Sequence, residues 1–304
     1  MADDDLREDQ ANDVRLQRFV ITNPSYPNPF LSTDVALQPT SVVRLDANGR
    51  IPYTFQHSIS LERQLQRGTT LTVSYFRTSG NLFRSRDINA PLPPLYSARP
   101  DASLNVLRQI ESSGRQVTDS LEISFRGNAT KYFAGMAQYT LGSASNDANG
   151  IGAFPANNYD LSGEWARADS DQRHRFNLLC SVKAGRLFNL GVALQAESGR
   201  PYSMITGRDD NHDGLALDRP SGVRRNSLEG PGYVGLDLRL SKDFVLDASR
   251  KEKSPKITTA IDAFNVANRV NYSGYIGNLS SPFFGRAIAS RPARRLQLSM
   301  RFAF

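Results

Sequence analysis

The chain has 304 residues, 39% hydrophobic and 22% charged, with a formal net charge of +7 and a single cysteine. No run approaches the roughly 18 apolar residues of a membrane-spanning helix, so a helical membrane protein is excluded; a β-barrel is not, because only alternate residues of its strands face lipid. Lone Cys180, in the apolar run FNLLCSV, excludes an intrachain disulfide and a cysteine metal cluster. The basic residues form no helix-like stripe and no basic–aromatic motif, so we expect no nucleic-acid partner.

Residues 1–50 open on MADDDLREDQ, which is acidic and lacks the apolar core of a secretory signal. We read this stretch as an N-terminal segment or extracellular loop region, and residues 51–304 as the structural body. From there a period of two dominates, the rhythm of a strand with unlike faces. IPYTFQHSISLERQL (51–65) sets Tyr53, Phe55, Ile59, Leu61 and Leu65 on one face, broken by His57. TLTVSYF (70–76) follows with Leu71, Val73 and Tyr75. SLEISFRG (120–127) gives Leu121, Ile123 and Phe125, and YFAGMAQYTLGS (132–143) gives Phe133, Ala137, Tyr139 and Leu141. RHRFNLLCSVKAG (173–185) places His174, Phe176, Leu178, Cys180 and Val182 together. RLFNLGVALQAES (186–198) then sets Phe188, Leu190, Val192, Leu194 and Ala196 against polar neighbours. YVGLDLRLSKDF (233–244) aligns Val234, Leu236, Leu238, Leu240 and Phe244. PKITTAIDAFNVAN (255–268) carries Ile257, Ile261 and Ala263 outward and Asp262 inward. RRLQLSMRFAF (294–304) alternates to the last residue.

Nine strands result, each about the nine to eleven residues that cross a bilayer at a tilt. Their connections alternate. Residues 66–69, 127–131, 184–187 and 246–255 are short, whereas 80–119, 146–171, 199–232 and 268–290 are long, polar and rich in Gly, Pro, Asn, Asp and Ser. Long loops without structure are rare in compact domains. A transmembrane barrel with periplasmic turns and extracellular loops has this alternation, and aromatic residues gather at the strand ends as its interfacial girdles do. The expected fold is therefore all-β: an antiparallel transmembrane barrel portion. A soluble sandwich would alternate too, but its strands average five or six residues.

The segments NPSYPNPF (23–30), IPYTFQHSISLERQL, GTTLTVSYFRTSGNLFRSRDINAPLP (68–93), IESSGRQVTDSLEISFRG (110–127), TGRDDNHDGLALDRPSGVRRNSLEGPGYVGLDLRLSKDF (206–244) and DAFNVANRVNY (262–272) resemble, in order and spacing, the C-terminal barrel of TonB-dependent receptors. The nearest kind is Oar-like, with an N-terminal carboxypeptidase-regulatory-like domain. The resemblance implies a 22-stranded barrel with a plug in its lumen, importing a nutrient such as a chelate or oligosaccharide. Since no plug, TonB-binding box or signal peptide is legible, the chain reads as the C-terminal part of such a receptor. The TonB complex would then engage only through a plug outside this sequence. The other partners implied are outer-membrane lipid and the barrel-assembly machinery. The competing readings are a non-transport barrel or adhesin, and a soluble β-sandwich binding module.

Few residues suggest chemistry. Asp209, Asn211 and Asp213, followed by Gly214, place oxygen ligands at alternate positions before a sharp turn, as a Ca²⁺ loop does. Counting from Asp209, however, position twelve is Pro220 rather than the bidentate Glu, and the same residues suit Asx turns. We commit to no metal and no cofactor. His57, His174 and His212 have no ligand spacing, and His174 reads as an interface residue near a strand top. No nucleophile motif frames a serine, so no enzyme is expected. The polar face carries Glu62, Glu122, Arg126, Glu197, Asp237, Arg239, Asp262 and Arg301, which would line a wet lumen. Finally Leu298, Met300, Phe302 and Phe304 form a terminal apolar face that resembles the signal read by the barrel-assembly machinery.

Overall fold

Period-two sequence obliges each strand to show one apolar and one polar face, and the computed structural model shows how these faces add up. It describes residues 18–21, 24–28, 35–65, 68–130, 133–185, 187–246 and 255–304. The acidic start, Tyr132, the basic cluster at 250–253 and parts of the short turns lie outside the described residues.

The strands are Arg18–Ile21 (β1), Val35–Gln38 (β2), Thr40–Leu45 (β3), Thr54–Leu65 (β4), Thr69–Asp87 (β5), Leu104–Thr130 (β6), Phe133–Asn146 (β7), Ala166–Arg167 (β8), His174–Ala184 (β9), Phe188–Glu197 (β10), Pro201–Tyr202 (β11), Leu228–Glu229 (β12), Tyr233–Val245 (β13), Lys256–Phe264 (β14), Tyr272–Tyr275 (β15), Ala287–Ser290 (β16) and Arg295–Ala303 (β17). Nine of them, in the order β4-β5-β6-β7-β9-β10-β13-β14-β17, form one antiparallel wall in which neighbours in the chain are neighbours in space. These are the nine strands legible in the sequence. No helix of the described residues is long and apolar enough to cross a membrane.

Register fixes the faces, because a slip of one residue would turn every side chain over. Leu61 pairs with Val73, Val73 with Ile123, Ile123 with Tyr139, Tyr139 with Phe176, Phe176 with Ala196 and Ala196 with Val234. Toward the turns, Val182, Leu190, Leu240, Ile261 and Leu298 are likewise matched strand to strand. One residue along, the row is Ser60, Ser74, Glu122, Thr140 and Arg175. One side of the wall is thus an apolar band and the other is hydrophilic.

Burial runs opposite to that of a soluble sandwich. The buried apolar residues among those described are Ala90, Ala144, Ala148, Ala168, Cys180 and Ala260, all small, while the fully buried side chains are Asn89 and Ser85. Away from the edge strands large aliphatics stay exposed, Ile123 at 39% and Ile261 at 47%, while Ser74 and Thr140 on the other face are buried. A sandwich would bury them between its sheets; only lipid makes this face favourable, at about 1.5–3 kcal/mol per large side chain removed from water. Among the described residues β4 and β17 are the wall's edges and do not pair with each other.

Two expectations need correction. Residues 80–119 are not one long loop. β5 continues to Asp87 and β6 begins at Leu104, with a register shift between Leu82 and Arg84. β6 has 27 residues, about 90 Å at about 3.3 Å per residue, far more than a bilayer needs. This hairpin stands well above the membrane. Its upper part meets water and other loops rather than lipid, with Arg84, Ser85, Asp87 and Glu111 buried there, so it needs no apolar alternation and left none to read. Second, His57 is not the sole break in the β4 apolar face: Arg63 lies on it too, opposite Leu71. Residues 40–50 rest against the hairpin. β3 pairs in parallel with β6, Asp46 N–H donates to Ile110 O (2.9 Å), and Arg50 N–H to Ser112 Oγ (2.8 Å).

Candidate functional site

All the long connections leave the same end of the wall, and there they fuse into one cap. The cap is built on buried polar groups. At the hairpin, Asp87 accepts from Asn89 N–H and Leu107 N–H (both 3.0 Å) and from Arg99 (2.7 Å). Asn89 is fully buried and donates to the carbonyls of Asp101, Leu104 and Asn105 while its own oxygen accepts from Asp101 N–H. Arg86 grips Glu111 through Nε and Nη2 at 2.9 and 2.6 Å. Burial alone would raise the Glu111 carboxyl, but the bonds from Arg86, Ser113 and Gln109 overcome it and hold the group below its ordinary value.

The second loop, between β7 and β9, is stitched to the hairpin and to the third loop. Arg84 pairs with Asp147 at 2.8 Å, Asn158 Oδ1 accepts from Asp87 N–H at 2.7 Å, and Tyr159 donates to Ala90 O at 2.7 Å. Arg219 pairs with Glu164, and Arg225 donates to Asn146 and Asn149 side chains and, at 2.8 Å, to Asn146 O. Arg167 bridges Asp171 and Glu229. Each buried donor and acceptor pair fixes one loop against another, because a lost partner would leave a desolvated charge.

Asp209, Asn211 and Asp213 sit in the third loop, the segment between β10 and β13. Asp209 accepts from Asp213 N–H (3.0 Å) and Gly214 N–H (2.9 Å), Asn211 Oδ1 from Asp213 N–H, and Asp213 Oδ1 from Leu215 N–H (2.9 Å). These are Asx-type bonds to the loop's own backbone. Among the described residues no group of three or more His, Cys, Asp or Glu stands where it could hold a metal ion. Asp213 is buried, and that burial, aided by the charges of Asp209 and Asp218, pushes its carboxyl up to about 6. His212 and Tyr96, both non-glycine residues at positive φ (55° and 49°), meet where this loop touches the hairpin: His212 Nδ1 donates to Tyr96 O at 3.0 Å.

The histidines stay apart. His174 begins β9 at the loop end of the wall, on its apolar side, where Tyr139 Oη and His174 Nδ1 share a 2.8 Å hydrogen bond. Nearby, Tyr75 and Arg77 both donate to Asp119 (2.6 and 2.9 Å). This polar and aromatic belt ends the apolar band where headgroups begin, the place such residues favour. On the opposite face, Arg239 holds both oxygens of Asp262 (2.9 and 3.0 Å). Leu298, Met300 and Phe302 lie on the far edge strand, with Phe304 stacked on Phe302 at 5.7 Å.

The sequence model of a protein family described as an outer membrane beta-barrel domain matches residues 7–223 and 219–297. The chain belongs to this family. It is an outer-membrane β-barrel protein, and its wall and loops now have a setting: the apolar rows face lipid and the cap faces outward. Among solved structures, the outer membrane transporter YddB from Escherichia coli is similar with a TM-score of 0.56 at 12% identity, over 88% of this chain and 34% of that one. The ferric-catecholate import receptor Fiu from E. coli K12, in a closed form, is similar with a TM-score of 0.52 at 13% identity, over 84% of this chain and 28% of that one. At these identities the likeness concerns the fold. The barrel chain spans about a third of the length of these transport proteins. No curated protein matches it in sequence.

Two hollows open in the cap of the barrel. One, of about 620 Å³, lies between Tyr96, the 157–163 stretch and the 218–224 stretch, with Asp210, Asn211 and Arg224 on its rim. The other, of about 170 Å³, is lined by Arg84, Arg219 and Arg225 together with apolar side chains. Sequence reasoning assigned none of these arginines to a site and met Arg224–Arg225 only as a small basic cluster. The local signal was Arg close to Asp in FRSRD (83–87) and LDRP (217–220), which reads equally well as a hydrated loop.

Proposed function

We propose that this chain is the C-terminal barrel part of a TonB-dependent receptor of the Oar-like kind, which takes up a nutrient such as a chelate or oligosaccharide. The cap carries the reading. A barrel that served only as a membrane anchor would need no interlocked loops, whereas a receptor needs a preorganised mouth that binds before transport. Here three connections, those between β5 and β6, β7 and β9, and β10 and β13, share buried ion pairs and enclose two hollows at the outer end of the wall. The likeness of the wall to those of an outer membrane transporter and an import receptor supports the same conclusion. We read the chain as non-catalytic; its interior charges hydrate the lumen and contact a plug. Energy would arrive from the TonB complex through that plug, and the terminal Leu298, Met300, Phe302 and Phe304 face would be read by the barrel-assembly machinery.

The test is genetic and functional. The chromosomal gene is deleted, and growth on a panel of scarce metal chelates and oligosaccharides is compared with and without TonB. Loss of growth on one nutrient in both strains supports the proposal. Growth unchanged on every nutrient, with the protein present at the surface of the parent, overturns it.

A further inference from the structure

The apolar band carries one charge that its surroundings do not explain. Register places Val234, Leu236, Leu238, Leu240, Lys242 and Phe244 of β13 on the lipid face. Across the lipid-facing rows of β7, β9, β10, β13, β14 and β17, Lys242 is the only residue with a formal charge. Asp243, next in sequence, points to the hydrophilic side, where Thr258 Oγ1 donates to it at 2.6 Å. The Lys242 ammonium lies over the Phe244 ring at 5.3 Å, and among the described residues it meets no carboxylate. A lysine costs most at the bilayer midplane and least near the interface. Lys242 stands just before the end of β13 at Val245, on the side of the short turns. Phe244 and Phe302 lie beyond it on the same face, so it sits level with the periplasmic girdle.

The second observation is a furrow beside this lysine. A hollow of about 600 Å³ opens on the same face, lined by Phe188, Leu240, Ile261, Leu298 and Met300 around Lys242. In the row Lys242–Thr259–Met300 the middle side chain is short and leaves a gap between tall neighbours. Lys242 and Thr259 belong to β13 and β14, each paired on both sides, so the floor of the furrow does not depend on the open edge at β17. The next row toward the midplane is Leu240, Ile261 and Leu298. Water is a poor filling for apolar walls, and acyl chains are what surrounds this face. A lysine keeps its methylenes on apolar surface while its ammonium reaches the headgroup layer. There a headgroup of net negative charge answers it, whereas a zwitterionic headgroup already neutralises its own phosphate.

We propose that this furrow seats one anionic glycerophospholipid of the periplasmic leaflet. Its phosphate meets the Lys242 ammonium, and one acyl chain runs over Thr259 toward Leu240, Ile261 and Leu298. The seat needs only the barrel and its lipid face, so it goes beyond the uptake of a nutrient and does not depend on it.

The experiment uses the full-length protein, stripped of lipid in a neutral detergent, with native mass spectrometry counting bound lipid. The probes are dioleoyl phosphatidylglycerol and dioleoyl phosphatidylcholine, which share their chains and differ in net charge. Phosphatidylglycerol binds about fivefold more tightly than phosphatidylcholine, the preference that one surface lysine gives toward anionic lipid. Lys242→Gln removes the preference and Lys242→Arg keeps it. Lys183→Gln, which deletes the same charge on the hydrophilic face beside Asn189, leaves it intact. Thr259→Leu fills the furrow without touching a charge and weakens both lipids about fourfold, the worth of one buried methylene. Glycerol phosphate, which has the phosphate and no chains, does not displace the lipid. Equal affinity for the two lipids in the parent, a preference that survives Lys242→Gln or falls as far in Lys183→Gln, affinity unchanged in Thr259→Leu, or displacement by glycerol phosphate overturns the proposal. Growth on scarce nutrients is read separately, so failure here leaves the receptor reading untouched.

Discussion

The wall and the cap of this protein are built from the same chain on opposite rules. In the wall, each residue's environment follows from whether its position is odd or even. Large apolar side chains point out and are exposed, as Ile123 and Ile261 are, and the inner row is Ser, Thr, Glu and Arg. In the cap, position in the chain says nothing about environment. Arg84, Asp87, Asn89, Glu164 and Arg225 are buried, and apolar Leu92 and Leu95 stand in water. The wall is held by a periodic backbone ladder whose faces lipid selects. The cap is held by individual ion pairs, some within one loop, as Arg99–Asp87 and Arg167–Asp171, and others between loops distant in sequence, as Arg84–Asp147 and Arg219–Glu164. The two should therefore fail separately.

The largest effect is expected where the cap's rule is broken. Arg225→Ala removes a partner of Asn146 and Asn149 and the second cation beside Glu164. Breaking a buried charge network in this way costs about 3–5 kcal/mol. Proteolysis of intact cells should cut the second and third loops at once, while the heat-modifiable mobility of the barrel on gels stays as in the parent. Loss of both would show that cap and wall fold as one unit.

Next comes the wall. Leu238 faces lipid between Val192 and Ala263. Leu238→Arg should cost about 2–4 kcal/mol if this row lies near the bilayer midplane, read as a lower urea midpoint of the barrel in vesicles. The neighbouring Ser241, on the hydrophilic face, is the control: Ser241→Arg should move the midpoint by less than about 0.5 kcal/mol equivalent. Equal effects at the two positions would mean that the sheet does not divide lipid from lumen.

This division also explains what could be read in advance. All nine wall strands were legible, because lipid on one side and water on the other imposes a strict alternation that residues such as Leu190, Val192 and Leu194 record directly. The upper halves of β5 and β6 were not. Above the membrane both faces of SGNLFRSRD meet water or other loops, so no periodic constraint marks them, and they read as loop. The cap network was illegible for a further reason. The pairing of Arg84 with Asp147, or Arg219 with Glu164, depends on how three loops meet, and a chain in isolation carries no record of that. The 209–213 segment stood out because its Asx bonds are local.

A smaller effect separates assembly from stability. Phe304 is 98% exposed, and its recorded contact is the stack on Phe302. Deleting it should lower the folded barrel's stability by no more than about 0.5–1.5 kcal/mol, yet reduce the amount assembled in cells several-fold. Surface levels equal to the parent's would remove Phe304 from any role in assembly.

The smallest effect lies in the cap and depends on pH. The Asp213 carboxyl is pushed up to about 6, first by burial and then by the charges of Asp209 and Asp218, against the bonds from Leu215 N–H and Asn211. Asp218 moves in the same direction for the same first reason. In the unfolded chain an aspartate titrates near about 3.9. Between about pH 4 and pH 6 the folded loop therefore holds a proton that the unfolded loop releases, and by linkage its stability falls as pH rises through that window. The sign is opposite to that of a salt-bridged carboxylate such as Glu111, which is held low and whose contribution is lost only as pH falls. Exchange of the Leu215 and Gly214 amides, corrected for intrinsic rate, should accordingly be slower at pH 4 than at pH 7, and Asp213→Asn should flatten the difference. The backbone amides of the wall, such as those of β9 and β10, should show no such dependence. A wall that loosened along with the loop would mean that the proton acts on the whole barrel, and the separation of the two regions would not hold.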